Sequence, residues 1–186
     1  HTGYANNHIG KDGSPGGYAV WEANGVNQVT YYKGIGFDRN YQFRSYDLNT
    51  VHITADAHAP NANATYKAKV PAIVGEYATP NKKNQVLLNI WGYQDNWKIS
   101  IKENGISLPY TRVSKKDPLH LISYDLKRIN VNADPTSSFA TSNTAHMFLA
   151  TATSPTSTLE IKVEDHFGNK YQETMVRPKP FNTSMK

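Results

Sequence analysis

His52-Ile-Thr-Ala-Asp56-Ala-His58 is the sharpest metal-binding candidate in this chain. Imidazole and carboxylate both ligate divalent cations such as zinc. If residues 51–57 form a strand, His52, Thr54, Asp56 and His58 project from one face. Neighbours on such a face stand roughly 7 Å apart, two rises of about 3.3 Å, which is wide for ligands sharing one ion. A polar solvent face opposite Val51, Ile53 and Ala55 accounts for the same alternation.

A second candidate set is Trp91, Tyr93 and Trp97. Aromatic rings in loops at the edge of a sandwich stack on sugar faces, and their amphipathic tips suit wet interfaces. The competing reading is burial. It is strongest for Trp97, which opens an alternating run, and open for Tyr93, since loop aromatics are less committed to the core.

Other chemistries have less to work with. Gly13-Ser14-Pro15-Gly16 lacks the Gly-x-Ser-x-Gly pattern and strand-to-helix setting of a nucleophile elbow. Asp95, Asp117, Asp125 and Asp165 occupy positions typical of turns and strand ends. Gly34-Ile-Gly36 is too short for a phosphate cradle. The absence of cysteine excludes disulfides, thiolate metal sites and Cys nucleophiles. The net charge of +5 is scattered over strand faces and the pairs Lys82-Lys83 and Lys115-Lys116, so no nucleic-acid partner is expected. No run of about 18 apolar residues occurs, and no membrane span is expected. The chain opens at His1-Thr-Gly without an initiator Met or a visible signal peptide, as a processed chain or a fragment does.

The elements that would position these residues read as strands. In Trp97-Lys-Ile-Ser-Ile-Lys102, Trp97, Ile99 and Ile101 share one face, and the lysines with Ser100 share the other. Asn104-Gly105 then supplies a two-residue loop suited to a type I′ hairpin. Leu159, Ile161 and Val163 alternate with Glu160, Lys162 and Glu164, and Gly168-Asn169 turns the chain into the next strand. A first hairpin is predicted over 18–23 and 29–33, with its turn at Asn24-Gly25. Further strands are predicted at 41–48, 51–57, 66–70, 86–91, 97–102, 120–126, 146–153, Leu159–Glu164 and 171–176. No segment sustains an apolar repeat of about 3.6 residues, which predicts negligible helix. Residues 130–143 read as a long polar loop, and the Pro-rich end from Arg177 as extended or frayed. The pattern predicts an all-β chain, a two-layer antiparallel β-sandwich with an extra N-terminal hairpin.

Taken together, Asp12-Gly-Ser-Pro-Gly-Gly-Tyr18, Tyr41-Gln-Phe-Arg44, Thr54-Ala-Asp56, Asn89-Ile-Trp-Gly-Tyr-Gln-Asp-Asn-Trp-Lys98, Glu103-Asn-Gly105, Thr111-Arg-Val113, Asp117-Pro118 and Asp165-His-Phe-Gly-Asn-Lys-Tyr171 resemble the C-terminal part of bacterial calcineurin-like phosphoesterases. In that family a metallophosphoesterase core precedes an appended β domain. The cores carry Asp-x-His, Gly-Asp-x-x-Asp, Gly-Asn-His-Asp/Glu and Gly-His-x-His motifs, and this chain does not carry that set. Two-metal phosphoester hydrolysis needs both ions held about 3.5–4 Å apart, so the resemblance transfers no catalytic residue and no metal to this chain.

The resemblance implies three segments. Residues 1–35 would be a loop and hairpin left from the preceding core, 36–180 the β-sandwich, and 181–186 a tail. It implies a non-catalytic module that packs on its own upstream phosphoesterase domain and shapes substrate access, with the divalent two-metal site only in that domain. It also implies an extracytoplasmic location, periplasmic or secreted. Two alternatives stand beside it. One is a glycan-binding module using Trp91, Tyr93 and Trp97; the other is a metal-dependent hydrolase centred on His52, Asp56 and His58. The N-terminal hairpin, if its edges lack partners, also offers a route to self-association.

Overall fold

The alternation in the two best-patterned strands becomes one wall of a sandwich in the computed structural model, which describes residues 9–184. Strands β5 (Lys98–Glu103) and β9 (Leu159–Glu164) pair antiparallel, with Ile101 opposite Ile161 and Ile99 opposite Val163. β10 (Lys170–Met175) flanks β9, and the short β6 (Ile106–Ser107) flanks β5. Asn104 and Gly105 take φ of 51° and 78°, the positive values a type I′ loop requires.

The facing sheet has the order β3-β4-β8-β7, formed by Phe43–Asp47, Gln85–Ile90, Asn143–Thr151 and Tyr110–Lys116. Val86, Leu88 and Ile90 of β4, with Phe148 and Ala150 of β8, meet Ile101, Leu159, Ile161 and Val163 across the interface. This is the expected two-layer antiparallel sandwich. The hairpin β1 (Gly17–Asn24) and β2 (Asn27–Gly34) forms a separate two-stranded sheet in register from Gly17–Gly34 to Asn24–Asn27.

Helix is where the sequence reading needs correction. Strands take 37% of the chain and helices 17%, so the class is all-β, but the helical share is not negligible. Of the stretch expected as a strand at 51–57, residues 51–54 are irregular and the rest enters α1 (Ala55–His58), whose N-terminus Thr54 caps by accepting from Ala57 N–H. The 66–70 stretch lies in and around α2 (Ala64–Lys67), capped by Asn63, and α3 (Val70–Val74). The 120–126 stretch is also helical. There α4 (Pro118–His120), a π-helical turn (Leu121–Asp125) and α5 (Leu126–Asn130) run on from Asp117, with Pro118 in the first turn. These helices cover the outer face of the β4 sheet. Leu87 and Met147 there join Leu119, Leu121, Leu126, Ile129, Val70 and Val74 in a second core. β4 is therefore buried on both faces, which is why 86–90 reads as a nearly continuous apolar run.

The C-terminal segment is not frayed where it meets β3. Arg177 and Asp47 form an ion pair at 3.1 Å with both side chains fully buried. Lys179 Nζ donates to the Ser45 carbonyl and hydroxyl and pairs with Glu173 at 2.6 Å. The segment thereby lies along the free edge of β3.

Candidate functional site

Asp117 organises the junction between the N-terminal loop and the sandwich. It is fully buried at the start of α4, where its Oδ1 accepts from His120 N–H at 2.9 Å. Its Oδ2 accepts from the Tyr46 hydroxyl at 2.7 Å and from Asn89 Nδ2 at 2.9 Å. Among the described residues no cation pairs with this carboxylate directly. Tyr46 relays it to Arg44, whose Nη1 lies 3.3 Å from the Tyr46 hydroxyl. Burial works against the Arg44 charge, but Tyr46, Tyr41 and Asp117 outweigh it and push its pKa up. Burial and the Asp117 charge push the Tyr46 phenol well above its usual range, so it stays a donor.

The Asp12-Gly13-Ser14 turn closes over this cluster. Asn89 Nδ2 donates to the Asp12 carbonyl at 2.7 Å, and Arg44 Nη1 to the Gly13 carbonyl at 3.0 Å. Gly13 has φ +81°, and a Cβ there would lie 2.1 Å from Asp117 Cγ, so only glycine fits. Residue types at 12–18, 44, 89 and 117 that stand far apart in the sequence thus converge on one polar junction. The loop expected to belong to a preceding core packs on the sandwich: Ile9 is buried in the helix-covered core.

Among the described residues the junction has no nucleophile arrangement. Asp12 Oδ1 accepts from the Ser14 hydroxyl at 2.6 Å, while His146 Nε2 lies 3.3 Å from Asp12 Oδ2. The carboxylate stands between hydroxyl and imidazole, so the imidazole is not placed to take the hydroxyl proton. Burial would raise the Asp12 pKa, but hydrogen bonds from His146 and Ser14 hold it well below the usual carboxylate range. His120 lies buried against Thr141, its Nδ1 2.7 Å from the hydroxyl, and burial lowers its pKa to about 4 despite the nearby Asp117.

His52, Asp56 and His58 do not meet. The strand that would have aligned them is replaced by the Thr54-capped helix. His52 Nε2 lies 3.1 Å from the Ala78 carbonyl, Asp56 pairs with Lys67 at 2.9 Å, and His58 Nδ1 lies 3.2 Å from the Thr54 carbonyl. Among the described residues no three His, Asp or Glu side chains are grouped so as to hold a metal ion.

The aromatic set divides. Trp91 is only 2% exposed and donates from Nε1 to the Tyr41 carbonyl, so it is not the loop platform expected. Tyr93 packs edge-on against Phe148 at 4.7 Å, with the Arg112 guanidinium 5.0 Å from its ring centre. Trp97 is part-buried beside Tyr171, 6.2 Å between ring centres, and its buried Nε1–H has no acceptor among the described residues. Trp91 and Trp97 line a cleft beneath the hairpin, while Tyr93 stands outside it. The Asp165–Tyr171 turn, which alternation reads only as a connector, supplies the far wall.

The hairpin itself is mostly exposed. Tyr18 is 56%, Trp21 65% and Val26 96% accessible, and neither strand pairs with another sheet among the described residues. Arg39 ties Glu22 to Tyr31, with its guanidinium 3.1 Å from the carboxylate and 4.0 Å from the ring centre.

Comparison with known proteins returns one family. No curated protein and no solved structure matches. The family model for the C terminal of calcineurin-like phosphoesterase matches residues 2–171, running unbroken through hairpin, junction and sandwich. The chain belongs to this family of phosphoesterase C-terminal domains.

Proposed function

We propose that this chain is a non-catalytic module that docks on the catalytic domain of a calcineurin-like phosphoesterase through the β1–β2 hairpin and narrows access to its active site. The observation that carries this reading is the hairpin. It presents exposed Tyr18 and Trp21 on a two-stranded sheet, with exposed Val26 at its turn, and its outer edges are unpaired among the described residues. Such edges and apolar tips call for a covering partner. The Asp117 junction holds the root of the hairpin rigidly against the sandwich, through Asn89 and Arg44. Family membership supplies the partner, a phosphoesterase catalytic domain. In this reading the divalent metals belong to that domain, and the protein works outside the cytoplasm.

The test is binding between the separately produced catalytic domain of the parent protein and this chain, measured by titration calorimetry. Association should be weakened at least tenfold by Tyr18→Ser with Trp21→Ser, since exposed aromatics at the centre of an interface dominate its energy. Equal affinity for the double variant would remove the hairpin from the interface. Unchanged substrate selectivity in a parent lacking residues 36–186 would end the access-narrowing role.

A further inference from the structure

A cavity of about 230 Å³ lies between β3 and the C-terminal segment that follows its edge. Arg44, Tyr46 and Thr50 line it from β3 and the turn after it, and Lys179 and Phe181 from the C-terminal segment. Phe37 and Tyr41, stacked with 4.4 Å between ring centres, complete the wall. We infer that this cavity binds a small organic monocarboxylate, its carboxylate on Arg44 and its apolar body against Phe37, Tyr41 and Phe181.

The balance of charge carries the inference. Arg44 is part-buried, yet its hydrogen bonds go to neutral acceptors. Nε donates to the Tyr41 hydroxyl at 3.1 Å, and Nη1 to the Gly13 carbonyl at 3.0 Å and the Tyr46 hydroxyl at 3.3 Å. Among the described residues no carboxylate pairs with Arg44, and its Nη2 has no acceptor while staying open to solvent. A guanidinium carries five N–H donors, so the two on Nη2 remain for a ligand. Asp117 offsets the Arg44 charge only across the Tyr46 hydroxyl, and its oxygens already accept from three donors. The other charges on the wall are already matched. Lys179 Nζ pairs with Glu173 at 2.6 Å, and Asp47 is buried against Arg177. One cation is left for one negative charge, and a charge-assisted bond is roughly twice as strong as a neutral one. The volume is below the roughly 300 Å³ at which pockets for larger ligands begin, so one ring or a short acyl chain fits and a nucleotide does not. The inference does not rest on docking of the hairpin, because β3, Phe37 and Tyr41 and the C-terminal segment form the cavity within this chain.

The test is NMR titration of the whole chain with benzoate and hexanoate, with benzamide, which has the shape of benzoate without its charge, and with phenyl phosphate. At least one of the two carboxylates should bind and shift the amide signals of residues 44–50 and 179–182. Benzamide should bind at least tenfold more weakly than benzoate, and carboxylate affinity should fall with added salt. Arg44→Gln should abolish binding. Because Arg44 also holds Gly13 and Tyr46, Asn182→Asp carries the test if that variant unfolds. Asn182 is an exposed residue of the cavity wall whose Oδ1 accepts from Ser184 N–H, and aspartate keeps that bond while adding a negative charge. It should weaken the carboxylate several-fold. Failure of both carboxylates to bind, equal affinity for benzoate and benzamide, or binding indifferent to the substitutions would overturn the site. Tighter binding of phenyl phosphate than of either carboxylate would overturn the ligand class.

Discussion

Replacing Gly13 by alanine should unseat the N-terminal loop from the sandwich, and the cost can be built from its parts. The residue sits at φ +81°, where an L side chain costs roughly 1–2 kcal/mol. The added Cβ would meet Asp117 Cγ at 2.1 Å and Cβ at 2.5 Å. Asp117 cannot yield, because His120 N–H, Tyr46 and Asn89 all hold its carboxylate. The loop must lift instead, losing the bonds from Asn89 to the Asp12 carbonyl and from Arg44 to the Gly13 carbonyl, each worth about 1 kcal/mol net. The sum is about 3–4 kcal/mol. Gly105→Ala is the control: its φ is +78°, nothing lies within 4 Å of the new Cβ, and only the backbone part, about 1–2 kcal/mol, should be lost. Urea unfolding with linear extrapolation measures both. Equal losses in the two variants would refute the claim that Asp117 and the Asp12-Gly13 turn form one rigid junction.

Trp91→Ala should cost about 3–5 kcal/mol, since the ring is buried and hydrogen-bonded, whereas part-buried Trp97→Ala should cost less in the same assay. Arg177→Met leaves Asp47 buried without its partner and should cost about 3–5 kcal/mol, with Asp47→Leu in the same chain restoring much of the loss. Stability should also fall with acid because of His120. Its folded pKa of about 4 lies below the unfolded value of about 6.5, so its contribution is full above the higher value and lost as pH falls through the interval. The effect is up to about 3 kcal/mol, and His120→Gln should flatten the pH profile of denaturation over that window. The chain alone should not hydrolyse phosphate mono- or diesters with added manganese, zinc or iron. Activity abolished by both His52→Ala and His58→Ala would contradict that.

The sandwich was legible because β5 and β9 keep one face in water. Lys98, Lys102, Glu160 and Lys162 mark the outside, and Ile101, Ile161 and Val163 the inside. The helical layer was not: α1, α2 and α3 are four or five residues long, too short to display a periodicity, and in 118–130 a π-helical turn between α4 and α5 breaks the repeat. Their caps were the available signal: Thr54, Asn63 and Asp117-Pro118 each stand directly before a helix. Val51-His-Ile-Thr-Ala alternates by chance, with Val51 and Ile53 buried while the chain runs toward α1. The junction could not be read at all, since Asp12, Arg44, Asn89 and Asp117 come together only through β3–β4 pairing and the turn into α4. The cleft was half visible: Trp91 and Trp97 were singled out, but Tyr31 and His166 are brought to them only by the fold.

Amide hydrogen exchange of Gly17–Asn24 and Asn27–Gly34, compared between the isolated chain and the whole parent phosphoesterase, tests the docking claim most directly. In the isolated chain the outward-facing amides of both strands should exchange rapidly, because no strand among the described residues covers them. In the parent those amides should become protected, while protection of β4 and β9, already buried in the sandwich, stays unchanged. Equal exchange of the hairpin in both proteins would contradict docking through this sheet.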